Sequence, residues 1–228
     1  MTYNVLVYGD SNTWGWKGVE VAFPSSRYAD NERWAGVLAA ELGDKFKVSV
    51  DGLTVRSTNL DEPAAWNSVP ADAFNGGKNL PAAIAREMPL DLVVIMLGTN
   101  DLKNDLARSA EDIADAIIEV AKVAKGTEGG VAYTYRAPEV LVISPPPVST
   151  MAHPDFALMF EGGQEKSRKL GAALKAAANA AGIESFDASV VIPKAAGLDG
   201  LHMSAEQHKV LGRAVAKKIH VMADAAVD

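Results

Sequence analysis

Residues 5–15 read Val-Leu-Val-Tyr-Gly-Asp-Ser-Asn-Thr-Trp-Gly, an apolar, β-branched run that ends at Gly9 just before a serine, Ser11. The run predicts a buried first strand. In open α/β sheets, chemistry gathers at the carboxyl ends of the strands, which is where Ser11 would lie. The position favours a nucleophile, although a serine after a first strand could equally cap a helix or bind a phosphate.

A second polar segment, Asp199-Gly-Leu-His202, places an acid and an imidazole three residues apart near the end of the chain. One turn of backbone would let the Asp199 carboxylate hold Nδ1–H of His202, leaving Nε2 free to take a proton from Ser11. The alternative is a buried histidine bonded to a loop aspartate, and the serine after the first strand favours the catalytic interpretation. Ser204 and Gln207 then predict a capping box that opens the last helix.

The third segment follows a buried run at residues 90–97 and reads Gly98-Thr-Asn-Asp101. Asn100 at the end of a strand is a suitable oxyanion donor, because its amide donates hydrogen bonds without titrating. A plain turn is the alternative, since Asn and Asp favour turns after glycine.

Together and in this order, the three segments resemble the SGNH hydrolases, also called the GDSL esterase/lipase family. The first segment differs at Asn12, where leucine is usual. The resemblance spans essentially the whole chain and is nearest to the arylesterase/acyltransferase branch, typified by a mycobacterial acyltransferase. It implies a serine esterase that hydrolyses short-chain acyl esters through an acyl-enzyme and transfers acyl groups to alcohols or peroxide. It also implies a homo-oligomer such as an octamer.

Two other functions stay open at this point. One is a carbohydrate O-acetylesterase with the same chemistry, which a polar, open cleft would favour. The other is a non-catalytic binding module on the same fold, since fold alone does not give function.

The resemblance implies a triad of Ser11, Asp199 and His202, and an oxyanion hole formed by Ser11, Val55 and Asn100. In the family's second segment a glycine usually donates its N–H, whereas this chain reads Asp51-Gly-Leu-Thr-Val-Arg-Ser57. Alignment on Gly52 puts the donor at Val55, with Gly52 itself as the alternative. Because valine resists positive φ, we expect ordinary β or helical backbone at Val55.

Aromatic residues near the predicted site are candidates for binding substrate. Trp14 and Trp16 directly follow the nucleophile, and Phe156 and Phe160 lie in a long segment after the fourth strand. Each could instead belong to the core. We expect Trp34, on a helix, to be a packing residue.

Composition restricts the classes of partner. The 228 residues carry a net charge of −7, which disfavours nucleic acid and anionic membranes, and there is no cysteine for a disulfide or a thiolate metal site. His153, His208 and His220 match no zinc spacing, and the last two are predicted on a surface helix. We expect no metal and no cofactor. No apolar run approaches a membrane span and no export signal is visible, so we expect a cytoplasmic protein.

Alternating strand and helix patterns predict one α/β domain over residues 1–228. Strands are expected at 3–8, 46–50, 91–97, 139–143 and 183–187, and helices at 31–42, 110–125, 166–181 and 205–223. The predicted fold is a three-layer, doubly wound, flavodoxin-like parallel sheet of five strands in the order 2-1-3-4-5. Long loops are expected at 56–79, 127–138 and 144–165, the second as a hairpin.

Overall fold

A computed structural model describes residues 2–21, 24–128, 131 and 135–225. Five parallel strands form its sheet in the order β2-β1-β3-β4-β5, which confirms the predicted fold. In chain order the strands are β1 (Tyr3–Gly9), β2 (Phe46–Gly52), β3 (Leu92–Met96), β4 (Glu139–Ser144) and β5 (Glu184–Asp187). All five residues of β3 are buried, as expected for a central strand covered on both faces.

The described residues contain seven α-helices: α1 (Ser11–Trp14), α2 (Trp34–Leu42), α3 (Gly76–Glu87), α4 (Ala110–Lys125), α5 (Pro154–Met159), α6 (Gly163–Ala181) and α7 (Ala205–Ala225). Apolar residues of α3, α4 and α6 form one core with one face of the sheet, and those of α2 and α7 form a second core with the other face. The two cores fix the strands from both sides, so the strand ends form a rigid edge.

Helix boundaries differ from the sequence prediction at several places: α6 begins at Gly163 rather than at 166, and α5 lies within the loop predicted at 144–165. The helix predicted at 31–42 begins at Trp34 instead, after Arg33 and without a side-chain cap. The predicted loop at 56–79 is shorter than expected because α3 begins at Gly76, where the Asn75 side chain accepts from the Lys78 N–H. Ser109 and Asp112 form a reciprocal capping box at the start of α4.

The hairpin predicted at 127–138 includes residues that lie outside the described part of the chain. Across the helices that are described, none combines the length and the apolar character needed to cross a bilayer.

Candidate active site

Ser11 lies at the first turn after β1, in the short helix α1. The Asp10 side chain caps this helix by accepting from the Asn12 N–H at 2.9 Å. Close packing requires glycine at position 9, because a Cβ there would clash with Oγ1 of Thr13 and would lie 2.7 Å from the Met96 carbonyl oxygen. As the first residue of α1, Ser11 has a backbone N–H with no acceptor within the helix.

The structure brings Ser11, His202 and Asp199 together as a hydrogen-bonded chain. Nε2 of His202 lies 2.8 Å from Oγ of Ser11, and Nδ1 of His202 lies 2.6 Å from Oδ2 of Asp199. All three side chains are buried. The residues are 191 and 3 positions apart in sequence, so the fold supplies the first contact and a local turn supplies the second.

The loop at 199–202 fixes the Asp199 carboxylate. Its other oxygen, Oδ1, accepts from the N–H groups of Leu201 and His202, both at 2.9 Å, and Gly200 adopts φ of 76° to allow this turn. Burial alone would raise the pKa of Asp199, but the hydrogen bonds and charge of His202, with those N–H groups, outweigh it and hold the pKa below its ordinary value. The carboxylate is therefore ionised at neutral pH and bonded on both oxygens.

The imidazole of His202 is also held from the side. The Trp16 ring stacks on it, with 5.6 Å between ring centroids and 24° between planes. The residues that follow Ser11 and His202 are also joined: Oδ1 of Asn12 accepts from the Met203 N–H at 3.0 Å. Asn12, the departure from the family's usual leucine, thus ties the serine turn to the histidine loop.

The second segment has an unusual backbone at Val55. The Arg56 N–H donates to the Leu53 carbonyl at 3.3 Å and closes a turn, with Val55 at its third position and φ of 69°. The expectation of ordinary β or helical backbone there was wrong: φ of 69° lies in the left-handed region, which type II turns require at their third position. This is where the family's second segment would place its glycine, and valine occupies it at a steric cost.

Thr54 and Val55, rather than Gly52, line the pocket beside Ser11. Gly52 ends β2 opposite Gly9, and a Cβ there would lie 2.5 Å from the Trp14 N. Close approach between α1 and β2 therefore explains this glycine.

Asn100 begins a short 3-10 helix, Asn100–Leu102, after β3, and faces the same pocket. Its Nδ2 donates to the Arg56 carbonyl at 3.0 Å, which orients the amide and leaves its second N–H for another acceptor. The Arg56 side chain in turn donates to the carbonyls of Gly9 and Asp51 and lies over the Tyr8 ring, 4.0 Å from its centroid. The second and third segments are thus locked to β1.

A small pocket of about 150 Å³ opens above Ser11. Its lining is mainly apolar and consists of Ser11, Trp16, Thr54, Val55, Trp66, Asn100, Lys103, Phe156, Met159, Phe160, Leu201 and His202. The structure therefore places three of the four aromatic candidates, Trp16, Phe156 and Phe160, in the pocket.

Trp14 does not line the pocket: the Arg27 guanidinium lies 4.8 Å from its ring centroid. Trp34 is fully buried, as expected for a packing residue. Sequence reasoning missed Trp66 and Lys103, which come from loops and carry no motif. A tryptophan in a polar, proline-containing loop was the one available signal for Trp66.

The remaining histidines do not form a metal site. His208, predicted on a surface, is fully buried instead: its Nδ1 accepts from the Trp34 N–H at 3.2 Å, and burial lowers its pKa to about 3. His153 caps α5. In the part of the chain that the structure describes, no three His, Cys, Asp or Glu side chains are grouped to hold an ion.

Comparisons with known proteins agree with this geometry. The profile of the family described as GDSL-like Lipase/Acylhydrolase matches residues 5–215. The native aryl esterase of M. smegmatis is 42% identical over 96% of this chain and 99% of its own, with a TM-score of 0.90. A carbohydrate acetylesterase from Sinorhizobium meliloti is 42% identical over 97% and 100%, with a TM-score of 0.91. A putative arylesterase from Agrobacterium tumefaciens is 32% identical over 96% and 99%, with a TM-score of 0.80. No curated protein sequence matches significantly.

Proposed function

The chain belongs to the GDSL-like lipase/acylhydrolase family, and we propose that it is a serine esterase that cleaves short-chain acyl esters through an acyl-enzyme on Ser11. Ester hydrolysis is also the activity named for its structural neighbours, an aryl esterase and a carbohydrate acetylesterase. The single observation that carries the proposal is the buried chain Ser11–His202–Asp199, with hydrogen bonds of 2.8 and 2.6 Å, at the floor of a pocket.

In the proposed mechanism, Oγ of Ser11 attacks the ester carbonyl while Nε2 of His202 takes its proton. The tetrahedral intermediate collapses when His202 returns that proton to the leaving alcohol, and the acyl group stays on Ser11. Water, activated by the same imidazole, then attacks the acyl-enzyme and releases the carboxylic acid. Asp199 holds the Nδ1–H tautomer and stabilises the imidazolium that forms transiently.

The oxyanion would be held by three N–H donors: the backbone groups of Ser11 and Val55 and the side-chain amide of Asn100. Each donor follows a different strand. Arg56 connects the segments that carry Val55 and Asn100, because its carbonyl accepts from the Asn100 amide and its N–H closes the turn that contains Val55. Donors fixed in advance stabilise the transition state without reorganising, and removing one typically costs about 10²–10³ in kcat.

The small volume of the pocket favours short acyl groups, and its apolar wall favours acceptors that bury their own surface. Burial contributes about 25 cal/mol per Å² of apolar area, so a small alcohol could compete with a large excess of water at the acyl-enzyme. We therefore propose acyl transfer to alcohols or peroxide as a second outcome, in a homo-oligomer whose neighbouring subunits narrow the pocket mouth. Two measurements test these proposals: the ratio of benzyl ester to free acid formed from an acetyl ester and benzyl alcohol in buffer, and the mass of the protein by light scattering. Pure hydrolysis by an intact oligomer would contradict acyl transfer. Efficient transfer by a monomer would contradict the role of neighbouring subunits.

Hydrolysis of p-nitrophenyl acetate tests the esterase proposal itself. Ser11→Ala should lose nearly all turnover while its circular dichroism stays unchanged. Ser185→Ala, on β5 at the far edge of the sheet, is the matched control and should keep full activity. Equal turnover in Ser11→Ala and wild type would contradict the role of Ser11 as nucleophile, and absence of turnover in wild type would favour the non-catalytic binding module.

A further inference from the structure

A buried acid that the proposed ester chemistry does not use lies next to Asn100. Asp101 is the second residue of the short 3-10 helix after β3, and it is fully buried. Its Oδ2 accepts from the Thr58 N–H at 3.0 Å, and its Oδ1 accepts from the Thr58 hydroxyl at 2.5 Å and from Nη1 of Arg108 at 2.6 Å. We refer to Thr58, Asp101 and Arg108 as the Asp101 cluster.

The surroundings of Asp101 suit a carboxylate better than a neutral side chain. Each of the three contacts comes from a donor, and a carboxylate accepts hydrogen bonds on both oxygens. Burial raises the pKa of Asp101, whereas the hydrogen bonds from Thr58 and the charge of Arg108 act in the opposite direction and favour the ionised form. An amide at this position would turn one acceptor into a donor that faces another donor, which is costly in a buried site.

The Asp101 cluster joins the loop after β2 to the loop after β3. Two contacts lie side by side between these loops: Nδ2 of Asn100 donates to the Arg56 carbonyl at 3.0 Å, and the Asp101 carboxylate accepts from Thr58. The first contact orients the amide that we assign to the oxyanion hole. The second fixes the backbone on which that amide is carried, relative to the loop that holds it.

Asp101 is too far from the chemistry to act directly. Thr58, Asp101 and Arg108 are not among the residues that line the pocket above Ser11. An oxyanion donor is effective only at about 2.7–3.1 Å from the position of the developing charge, and a misplacement of about 1 Å can cost about 10²-fold in rate. A residue that sets the position of Asn100 therefore acts on the transition state more than on the bound substrate.

We propose that Asp101 is a positioning residue for the oxyanion hole: its carboxylate, paired with Thr58 and Arg108, holds the Asn100 amide at the distance that the transition state requires. The inference rests on the proposed esterase function and extends it to a charged group outside the pocket. Asp101 donates no hydrogen bond to the substrate and takes part in no proton transfer. Its effect passes entirely through Asn100.

Asp101→Asn tests this proposal because it keeps the shape of the side chain and removes the charge. With p-nitrophenyl acetate, kcat should fall by about 10- to 100-fold while KM changes by less than about threefold. Rates are expressed per active site, counted by the end point of fluorophosphonate labelling, so that misfolded protein does not contribute. Asp105→Asn, at an exposed carboxylate in the following 3-10 helix, is the matched control and should keep full activity. Equal kcat in the two variants would overturn the proposal.

Thr58 provides a milder change at the same contact, which carries the test if Asp101→Asn does not fold. Thr58→Val removes the hydroxyl and keeps the backbone N–H, so kcat should fall by about 3- to 10-fold with KM nearly unchanged. Thr58→Ser keeps the hydroxyl and should stay within about twofold of wild type. Equal activity of the valine and serine variants would contradict the role of this contact.

A double-mutant cycle separates positioning from a general structural role. In the Asn100→Ala background there is no amide left to position, so adding Asp101→Asn should lower kcat by less than about threefold further. A purely structural role would give the same loss in both backgrounds and would contradict the proposal. The same cycle applies with Thr58→Val in place of Asp101→Asn.

These measurements also distinguish this inference from the esterase proposal. If wild type does not turn over p-nitrophenyl acetate, both fail. If wild type is active and Ser11→Ala is not, but Asp101→Asn keeps the wild-type kcat, the esterase proposal stands and the positioning role of Asp101 fails.

Discussion

Replacing Val55 by glycine should cost far less stability than a valine-to-glycine change normally does. Val55 holds φ of 69° at a turn position that favours glycine, and it is half-buried. An L-residue in the left-handed region costs roughly 1–2 kcal/mol, which the glycine variant recovers. Against this, glycine loses about 0.5–1 kcal/mol of backbone entropy, and the lost side-chain burial costs about 1 kcal/mol.

These opposing effects nearly cancel, so the free energy of unfolding of Val55→Gly should lie within about 1 kcal/mol of wild type. Val48→Gly is the matched control: Val48 is a half-buried valine within β2, and its φ is not positive. With no strain to recover, it should lose about 2 kcal/mol. Urea denaturation measures both variants. Equal destabilisation at the two positions would refute the claim of strain at Val55.

Activity provides a second readout for the same variant. Glycine keeps the backbone N–H that we assign to the oxyanion hole, so kcat of Val55→Gly on p-nitrophenyl acetate should stay within about threefold of wild type. A loss of about 10² or more, the size expected for removal of an oxyanion donor, would show that the valine side chain rather than its N–H matters.

Three further outcomes are expected. Asp199→Asn should lower kcat by up to about 10⁴-fold, because an amide at 2.6 Å from Nδ1 favours the wrong tautomer of His202; a loss below tenfold would make Asp199 dispensable. Asn100→Ala should lower kcat by about 10²–10³ with little change in KM, and Asn100→Asp should be at least as damaging because a carboxylate repels the oxyanion, so an active Asp variant would contradict the role. Burial raises the pKa of Asp10 from 3.8 to about 6, so the folded protein binds this proton more tightly than the unfolded chain. Its contribution to the free energy of unfolding should therefore fall by about 2 kcal/mol as pH rises from about 4 to 6, out of about 3 kcal/mol over the whole titration, and Asp10→Asn should remove that slope from chemical denaturation curves.

Sequence reasoning recovered the sheet order and the residues whose spacing is local. Apolar runs that end in glycine predict buried strands whatever their neighbours are, and the chemistry at their carboxyl ends follows from the topology. The Asp199–His202 contact spans one turn of backbone, so the motif alone implies it. The assignment of catalytic roles to these residues stays a prediction.

Features that depend on tertiary contacts were beyond sequence reasoning. The pairing of Lys103 with Glu62 joins residues 41 positions apart, and neither belongs to a motif. His208 looked like a surface residue because its helix is amphipathic, yet it packs against Trp34. At Val55 residue preference suggested ordinary backbone, but the turn between β2 and Arg56 overrides that preference.

The central claim is that Ser11 is a nucleophile activated by His202, and covalent labelling tests it most directly. A fluorophosphonate should add once to wild type, and peptide mass mapping should place the adduct on Ser11. His202→Ala should label much more slowly, since its serine lacks the base that lies 2.8 Å away in wild type. An adduct on another residue, or labelling of Ser11→Ala at the wild-type rate, would contradict the account.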